Sequence, residues 1–358
     1  SYSNLASQYA MSCRNGQTSF LTCINGAFVL LIPAAILLSS GGDGWSVLAD
    51  FIFYALFAPA CGAMINRIMY ASESVMEADE AMMRLAEILD QNPLPEPAKP
   101  EEPLSSEVTF DHVTFRYPGM EHPALDDVSF TVKPGTIVGL VGPSGGGKST
   151  AAAMIPRFWD VQSGSVKIGG VDVRQMDSRD LMSRVAFVFQ DTKLFKTSIL
   201  ENIRMARPKA TIEEVKAAAK AARCDDILEK LPRGLDTVVG TQGVYLSGGE
   251  AQRIALARAI LKDAPIIVLD EASAFADPEN EALIQKAFEE LTKDKTVLMI
   301  AHRLSTIRNA NDILVMEKGK LAEWGSHEEL LAKGGLYADM WKDYQQAAAW
   351  KVGKEEMI

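Results

Sequence analysis

Residues Gly142-Pro143-Ser144-Gly145-Gly146-Gly147-Lys148-Ser149 follow the spacing G-x-x-x-x-G-K-[ST]. The chemistry of that spacing is phosphate binding. Glycines let the backbone wrap a phosphate chain with its N–H groups turned inward, and a helix opening near Ser149 and Thr150 adds positive potential at its N-terminus. Lys148 is expected to reach the terminal phosphates, and the Ser149 hydroxyl to bind Mg²⁺. The preceding residues 136–141 (TIVGLV) read as a short buried strand, so the strand–loop–helix context is present. The loop by itself does not choose among ATPases, GTPases and kinases.

A second element narrows the chemistry. Ile266-Ile267-Val268-Leu269-Asp270-Glu271 is a buried strand ending in two carboxylates. Asp270 can hold Mg²⁺ through water, and Glu271 is placed to orient or deprotonate an attacking water. An Asp-Glu pair after a strand is otherwise an ordinary solvated strand end; together with the loop at 142–149 it reads as catalytic.

The third element is Leu246-Ser247-Gly248-Gly249-Glu250, followed by Ala251-Gln252-Arg253. It resembles the signature motif of ABC-type ATPases. With the other two motifs, it makes residues 107–345 similar to the ATP-binding domain of an exporter-type ABC transporter half. The resemblance implies ATP and Mg²⁺ as cofactors and roles for further residues. Tyr117, in Phe115-Arg116-Tyr117-Pro118, matches the aromatic that stacks on adenine. Gln190, in Phe189-Gln190-Asp191, matches the glutamine that touches Mg²⁺ and water beside the membrane-domain contact. Ser247, Gly248 and Gly249 match the residues that bind the γ-phosphate held by a second, facing copy, so each site is composite. Asp277, in Ala276-Asp277-Pro278, matches the aspartate that communicates across that dimer, and His302 the histidine that bonds the γ-phosphate.

The chain also departs from the family pattern. Gly240-Thr241-Gln242-Gly243 stands where exporter-type members usually have Gly-Glu-x-Gly, so Thr241 lacks a carboxylate expected near the coupling region. Glu250 stands where glutamine is commoner. The segment Ser273–Glu279 and the tail around Met340-Trp341 and Trp350-Lys351 look similar to a bacterial subgroup that includes siderophore importers of exporter-type fold.

The elements that must position these residues follow from composition and pattern. The chain of 358 residues is 47% hydrophobic and 23% charged, with mean hydropathy +0.02. Those values exclude a disordered chain and a chain that is membrane-embedded throughout. Net charge is −11, of which residues 1–104 contribute −7 from four basic and eleven acidic residues. No lysine/arginine block tracks a phosphate backbone, which argues against nucleic acid as a partner. Cys13, Cys23, Cys61 and Cys224 are scattered and read as small packed hydrophobes.

Residues 20–40 are 21 positions without a charge, about 31 Å as a helix and enough to cross a hydrocarbon core. After a glycine-rich turn, Trp45–Asn66 carries only Asp50. The pair reads as a transmembrane hairpin, spans about 20–40 and 45–67; a buried hairpin in a soluble protein is the competing reading. Arg14 and Arg67 flank it on one side, which puts both chain ends in the cytoplasm. An amphipathic helix then runs over 68–90. Residues 92–106 (NPLPEPAKPEEPLSS) read as a linker. From 107 onward, short β-branched runs separated by helical segments indicate an α/β domain with a mainly parallel sheet. Residues 108–117 alternate with one slip at Asp111-His112, as in an antiparallel hairpin or bulged strand.

The expected architecture is an α/β P-loop ATPase domain of ABC type, preceded by an all-α transmembrane hairpin. The resemblance gives that domain a mixed sheet, an antiparallel β subdomain and a helical subdomain. Its parts are the end of a transmembrane domain (1–91), a linker (92–106), the nucleotide-binding domain (107–345) and a tail (346–358). The resemblance implies six spans where two are present, so Ser1 is expected to be a cut through a longer chain. The implied partners are a second half-transporter (the same chain or a different one), the lipid bilayer and a transported substrate that the sequence does not identify. The implied location is a bacterial cell membrane with the ATPase domain in the cytoplasm. A soluble ABC-type ATPase and a phosphate-loop kinase are the competing functions.

Overall fold

In a computed structural model of the chain, the described residues are 32–39, 44–90, 93–240, 243–270, 278–301 and 304–355. Apolar runs without alternation make helices at the start: α1 (Ile32–Ser39) and α2 (Gly44–Leu89). At ~1.5 Å per residue the 46 residues of α2 extend about 69 Å. Large apolar side chains stand exposed along it, including Trp45, Leu56, Phe57 and Met64 in its first half and Val75, Met82 and Ile88 in its second. The expected spans fall on α1, the first half of α2 and residues outside the described set. Among the described residues no helix is long and apolar enough to cross a membrane.

The contacts divide the chain into two compact units, Ser1–Pro93 and Leu94–Ile358. The second unit runs β1 (Val108–Phe115), β2 (Leu125–Val132), β3 (Ile137–Val141), α3 (Lys148–Met154), β4 (Ser163–Ile168), β5 (Val171–Asp172), α4 (Ser178–Arg184) and β6 (Val185–Val188). It continues through α5 (Ile199–Arg204), α6 (Ile212–Ala221), α7 (Asp225–Lys230), α8 (Gly248–Lys262), β7 (Ile266–Asp270), α9 (Pro278–Thr292) and β8 (Thr296–Ile300). It ends with α10 (Leu304–Ile307), β9 (Asp312–Glu317), β10 (Lys320–Gly325), α11 (His327–Lys333) and α12 (Leu336–Glu355).

Two sheets form. One is antiparallel, in the order β2-β1-β4-β5; the other has the order β10-β9-β3-β8-β7-β6, with every pair parallel except β10 on β9. The nearly continuous apolar strands β3, β7 and β8 lie in the middle of the second sheet, where both faces are covered. The slip at Asp111-His112 is a bulge. The β1–β2 register jumps from Phe110↔Phe130 to Val113↔Val128, and His112 takes φ 50°. Helices α5 to α9 pack as a second apolar cluster against β6, β7 and β8. The proline-rich stretch sends its backbone bonds into the second unit: Arg157 Nη2 donates to the Pro95 carbonyl (2.9 Å), and the Glu101 N–H to that of Gln175 (2.8 Å).

Candidate nucleotide site

The strands β6, β7, β8 and β3 are parallel neighbours, so the residues after their C-terminal ends emerge on one edge of the sheet. Register fixes this closely: Val188 pairs with Leu269, Asp270 with Ile300, and Ile300 with Leu140. The glycine loop follows β3, Asp270 closes β7 and Gln190 lies two residues past β6. That edge of an open parallel sheet is where ligands bind.

The loop between β3 and α3 is built so that only glycine fits at its turns. Gly142 has φ 138°, and a Cβ there would stand 1.9 Å from the Met316 carbonyl oxygen of β9. Gly147 has φ 99°, with the Ala124 oxygen 2.5 Å from a built Cβ. The Gly319 N–H, in the β9–β10 turn, donates to the Gly146 carbonyl (3.1 Å) and pins the loop from outside. Lys148 is buried and turns its Nζ back over the loop, donating to the carbonyls of Gly142 (2.8 Å) and Pro143 (2.9 Å).

Tyr117 joins the loop. Its hydroxyl donates to Thr150 Oγ1 (3.3 Å), and its ring is held edge-on by Phe115 (4.8 Å) and Trp159 (5.6 Å). Tyr117 and residues 144–150 line one cavity of about 480 Å³, within the usual range for a small-molecule site. Gln190 and Asp270 line another, of about 760 Å³, with Phe187, Phe189, Phe195, Arg258 and Lys262.

Ser247, Gly248 and Gly249 line neither cavity. They open α8, where a capping box fixes them: the Ser247 N–H donates to Glu250 Oε2 (2.8 Å) and the Glu250 N–H to Ser247 Oγ (3.3 Å). Glu250 thus has a structural task that its carboxylate performs well. Glu271, Asp277, His302 and Thr241 lie outside the described residues.

Sequence reasoning passed over several residues that hold these elements. Arg253, 1% exposed, makes a paired contact with Asp226 (2.5 and 2.9 Å) and reaches Asn280 Oδ1 (2.8 Å) and the Arg223 carbonyl. It ties α8 to α7 and α9. Its position three residues after Glu250 was the available signal. Trp159 and Asn202 carried no motif.

Residues 125–274 match the family model described as ABC transporter. The chain carries an ABC transporter ATP-binding domain. This is the ATP-hydrolysing unit of such transporters, so the domain binds ATP. The chain is 47% identical over 285 residues to the mycobactin import ATP-binding/permease protein IrtA of Mycobacterium tuberculosis, covering 78% of this chain and 33% of that protein. It is 44% identical over 312 residues to the ATP-dependent lipid A-core flippase of Methylobacillus flagellatus, covering 82% and 53% respectively. Among solved structures, a bacterial Atm1-family ABC exporter with ATP bound matches with TM-score 0.68 and 33% identity, over 95% of this chain and 59% of that one. The chain therefore spans between a third and about half of the length of these curated relatives. The relatives are membrane ABC transporters, one named for import and one for flipping lipid.

Proposed function

We propose that this chain is the ATP-hydrolysing end of an exporter-type ABC transporter half. The observation that carries the reading is the cradle at 142–149, where Gly142, Gly146 and Gly147 leave no room for a Cβ and the Lys148 ammonium is already seated on loop carbonyls. Glycine without side chains leaves main-chain N–H groups free to approach phosphate oxygens, and Lys148 needs only a short swing to exchange two carbonyls for them. Tyr117, half-buried beside the loop, offers a ring for adenine. The Ser149 hydroxyl and the Asp270 and Gln190 oxygens are hard donors of the kind Mg²⁺ takes. Mg²⁺, when bound, neutralises charge on the phosphate oxygens.

Glu271, following Asp270, orients or deprotonates the attacking water, and His302 bonds the γ-phosphate. Ser247 and Gly249 of the facing copy complete the site, with Asp277 linking the two halves. Hydrolysis then amounts to positioning and charge neutralisation, both lost when the halves separate. An apolar lining surrounds Gln190, made by Phe187, Phe189 and Phe195. Residues 1–91 are read as the last two spans and their cytoplasmic helix, 107–345 as the nucleotide-binding domain, and 346–358 as a tail.

Export of a small molecule, lipid or peptide is the general expectation for the fold. Siderophore import is the second reading, favoured by the 47% identity to a mycobactin importer. The test of the ATPase reading is Glu271→Gln. ATP binding is expected to persist while turnover falls by about 10² or more, read by phosphate release and by fluorescent-ATP titration. Hydrolysis close to that of the unaltered chain would show that another residue handles the water.

A further inference from the structure

Asn202, on α5, is 0% exposed. A buried carboxamide is costly unless its donors and acceptors are met. Here all are met. Oδ1 accepts from the Phe195 N–H (2.9 Å) and from Arg258 Nη2 (3.1 Å), and Nδ2 donates to the carbonyls of Phe195 (3.0 Å) and Ser198 (3.0 Å). Arg258, on α8, also donates from Nε to the Asn202 carbonyl (2.9 Å) and lies 6.0 Å over the Phe195 ring. One side chain therefore holds both main-chain groups of Phe195, and a guanidinium fork from the helix that begins at Ser247 holds that side chain.

The same loop is stitched from its other side. The Ile199 N–H donates to the Thr237 carbonyl (3.1 Å), the Val239 N–H to that of Thr197 (3.0 Å), and Ser198 bridges to Val238. Residues 237–239 lead on toward Ser247. Residues 195–198, the end of the loop that begins at Gln190, are thus bonded on two sides, through Asn202 to Arg258 of α8 and directly to residues 237–239, which precede Ser247 in the chain.

We infer that Asn202, clamped by Arg258, is a positioning residue that makes the Gln190 loop and the N-terminus of α8 move as one body. The inference rests on the composite-site reading above. Under it, the loop that faces one protomer's own metal and water is mechanically joined to the serine that the same protomer presents to the facing site. Asn202 touches neither the glycine loop nor Tyr117, so nucleotide affinity is not its concern.

The experiment uses the full chain in detergent with two variants. Asn202→Asp keeps shape but replaces two donors with acceptors that face the carbonyls of Phe195 and Ser198. Arg258→Lys keeps the charge but loses the planar fork. In each, kcat for ATP is expected to fall about tenfold or more while KM stays within about twofold, and the double variant should be no worse than the poorer single one. Amide exchange should rise together at 195–198 and at the start of α8. Unchanged kcat, or a rise in exchange confined to 195–198, would overturn the inference, as would equal losses in KM and kcat with a matching drop in thermal midpoint. If Asn202→Asp does not fold, Arg258→Lys decides. An unaltered chain that folds but neither binds nor hydrolyses ATP would instead sink the proposed function, and the exchange measurement would still judge the coupling.

Discussion

Arg253 brings a guanidinium into the interior, and what makes this tolerable is the Asp226 carboxylate that meets it with two bonds. The hydrogen bond from Arg253 holds the Asp226 carboxyl below its ordinary value of 3.8, against the opposing effect of burial. A carboxyl whose folded value is depressed contributes stability above its unfolded value and loses it as pH falls through the folded one. Asp226→Asn is therefore expected to lower stability at neutral pH by about 1 kcal/mol, a small figure because the carboxylate is 42% exposed and screened. The gap should close as pH drops below 3.8. Thermal midpoints of both forms across acid pH check this; a gap that stays constant through that range would mean the pair contributes no charge-dependent stability. Cys224 is a simpler case at this scale. Burial pushes its thiol up to about 12, so it remains protonated, as expected of a cysteine packed as a small hydrophobe.

The glycine loop works as an element because β9 and the turn after it press on it from outside. Gly142 and Gly145 both have positive φ, but only Gly142 is crowded: the Met316 oxygen stands 1.9 Å from its built Cβ, whereas nothing lies within 4 Å at Gly145. Gly142→Ala must therefore displace β9 as well as adopt a strained backbone, costing well over ~2 kcal/mol, while Gly145→Ala carries the backbone cost alone, about 1 kcal/mol. Thermal midpoints without nucleotide should separate the two variants in that order, and equal losses would contradict the packing described. This loop was legible in sequence because strand, glycines and helix are adjacent, and so was the β1 bulge, since the slip in alternation is local. The pairing of β1 with β4, whose five pairs run from Val108 with Ile168 to Thr114 with Ser163, was not legible, because nothing short-range encodes it. Nor was Asn202: Glu201-Asn202-Ile203-Arg204 reads as any short helix, and only the fold turns its amide inward. The proline-rich composition at 92–106 suggested a separator, yet Arg157 and Gln175 bind its carbonyl and N–H groups from the ATPase side.

For the whole molecule, the decisive contrast is between a unit that buries its apolar side chains and a helix that leaves them out. The described residues of 94–358 form three apolar clusters, whereas α2 exposes Trp45 at 83% and Leu56 at 72%. A patch of this kind needs lipid or protein around it. The full chain is expected to require detergent, while a chain starting at Leu94 should stay soluble and bind ATP within about twofold of the full chain. Sedimentation and fluorescent-ATP titration check both, and a full chain that stays monodisperse without detergent would argue against a membrane location. The central claim, however, is that each ATP is held between two copies. Tagged mixed dimers test it most directly through the placement of Lys148→Ala and Ser247→Ala. With both changes on one protomer and none on its partner, composite sites leave no site intact, so hydrolysis should fall to background. With one change on each protomer, one complete site survives, and hydrolysis should persist at up to about half the unaltered rate. The reverse pattern, activity with both changes on one chain and silence when they are divided, would show that each chain hydrolyses ATP alone.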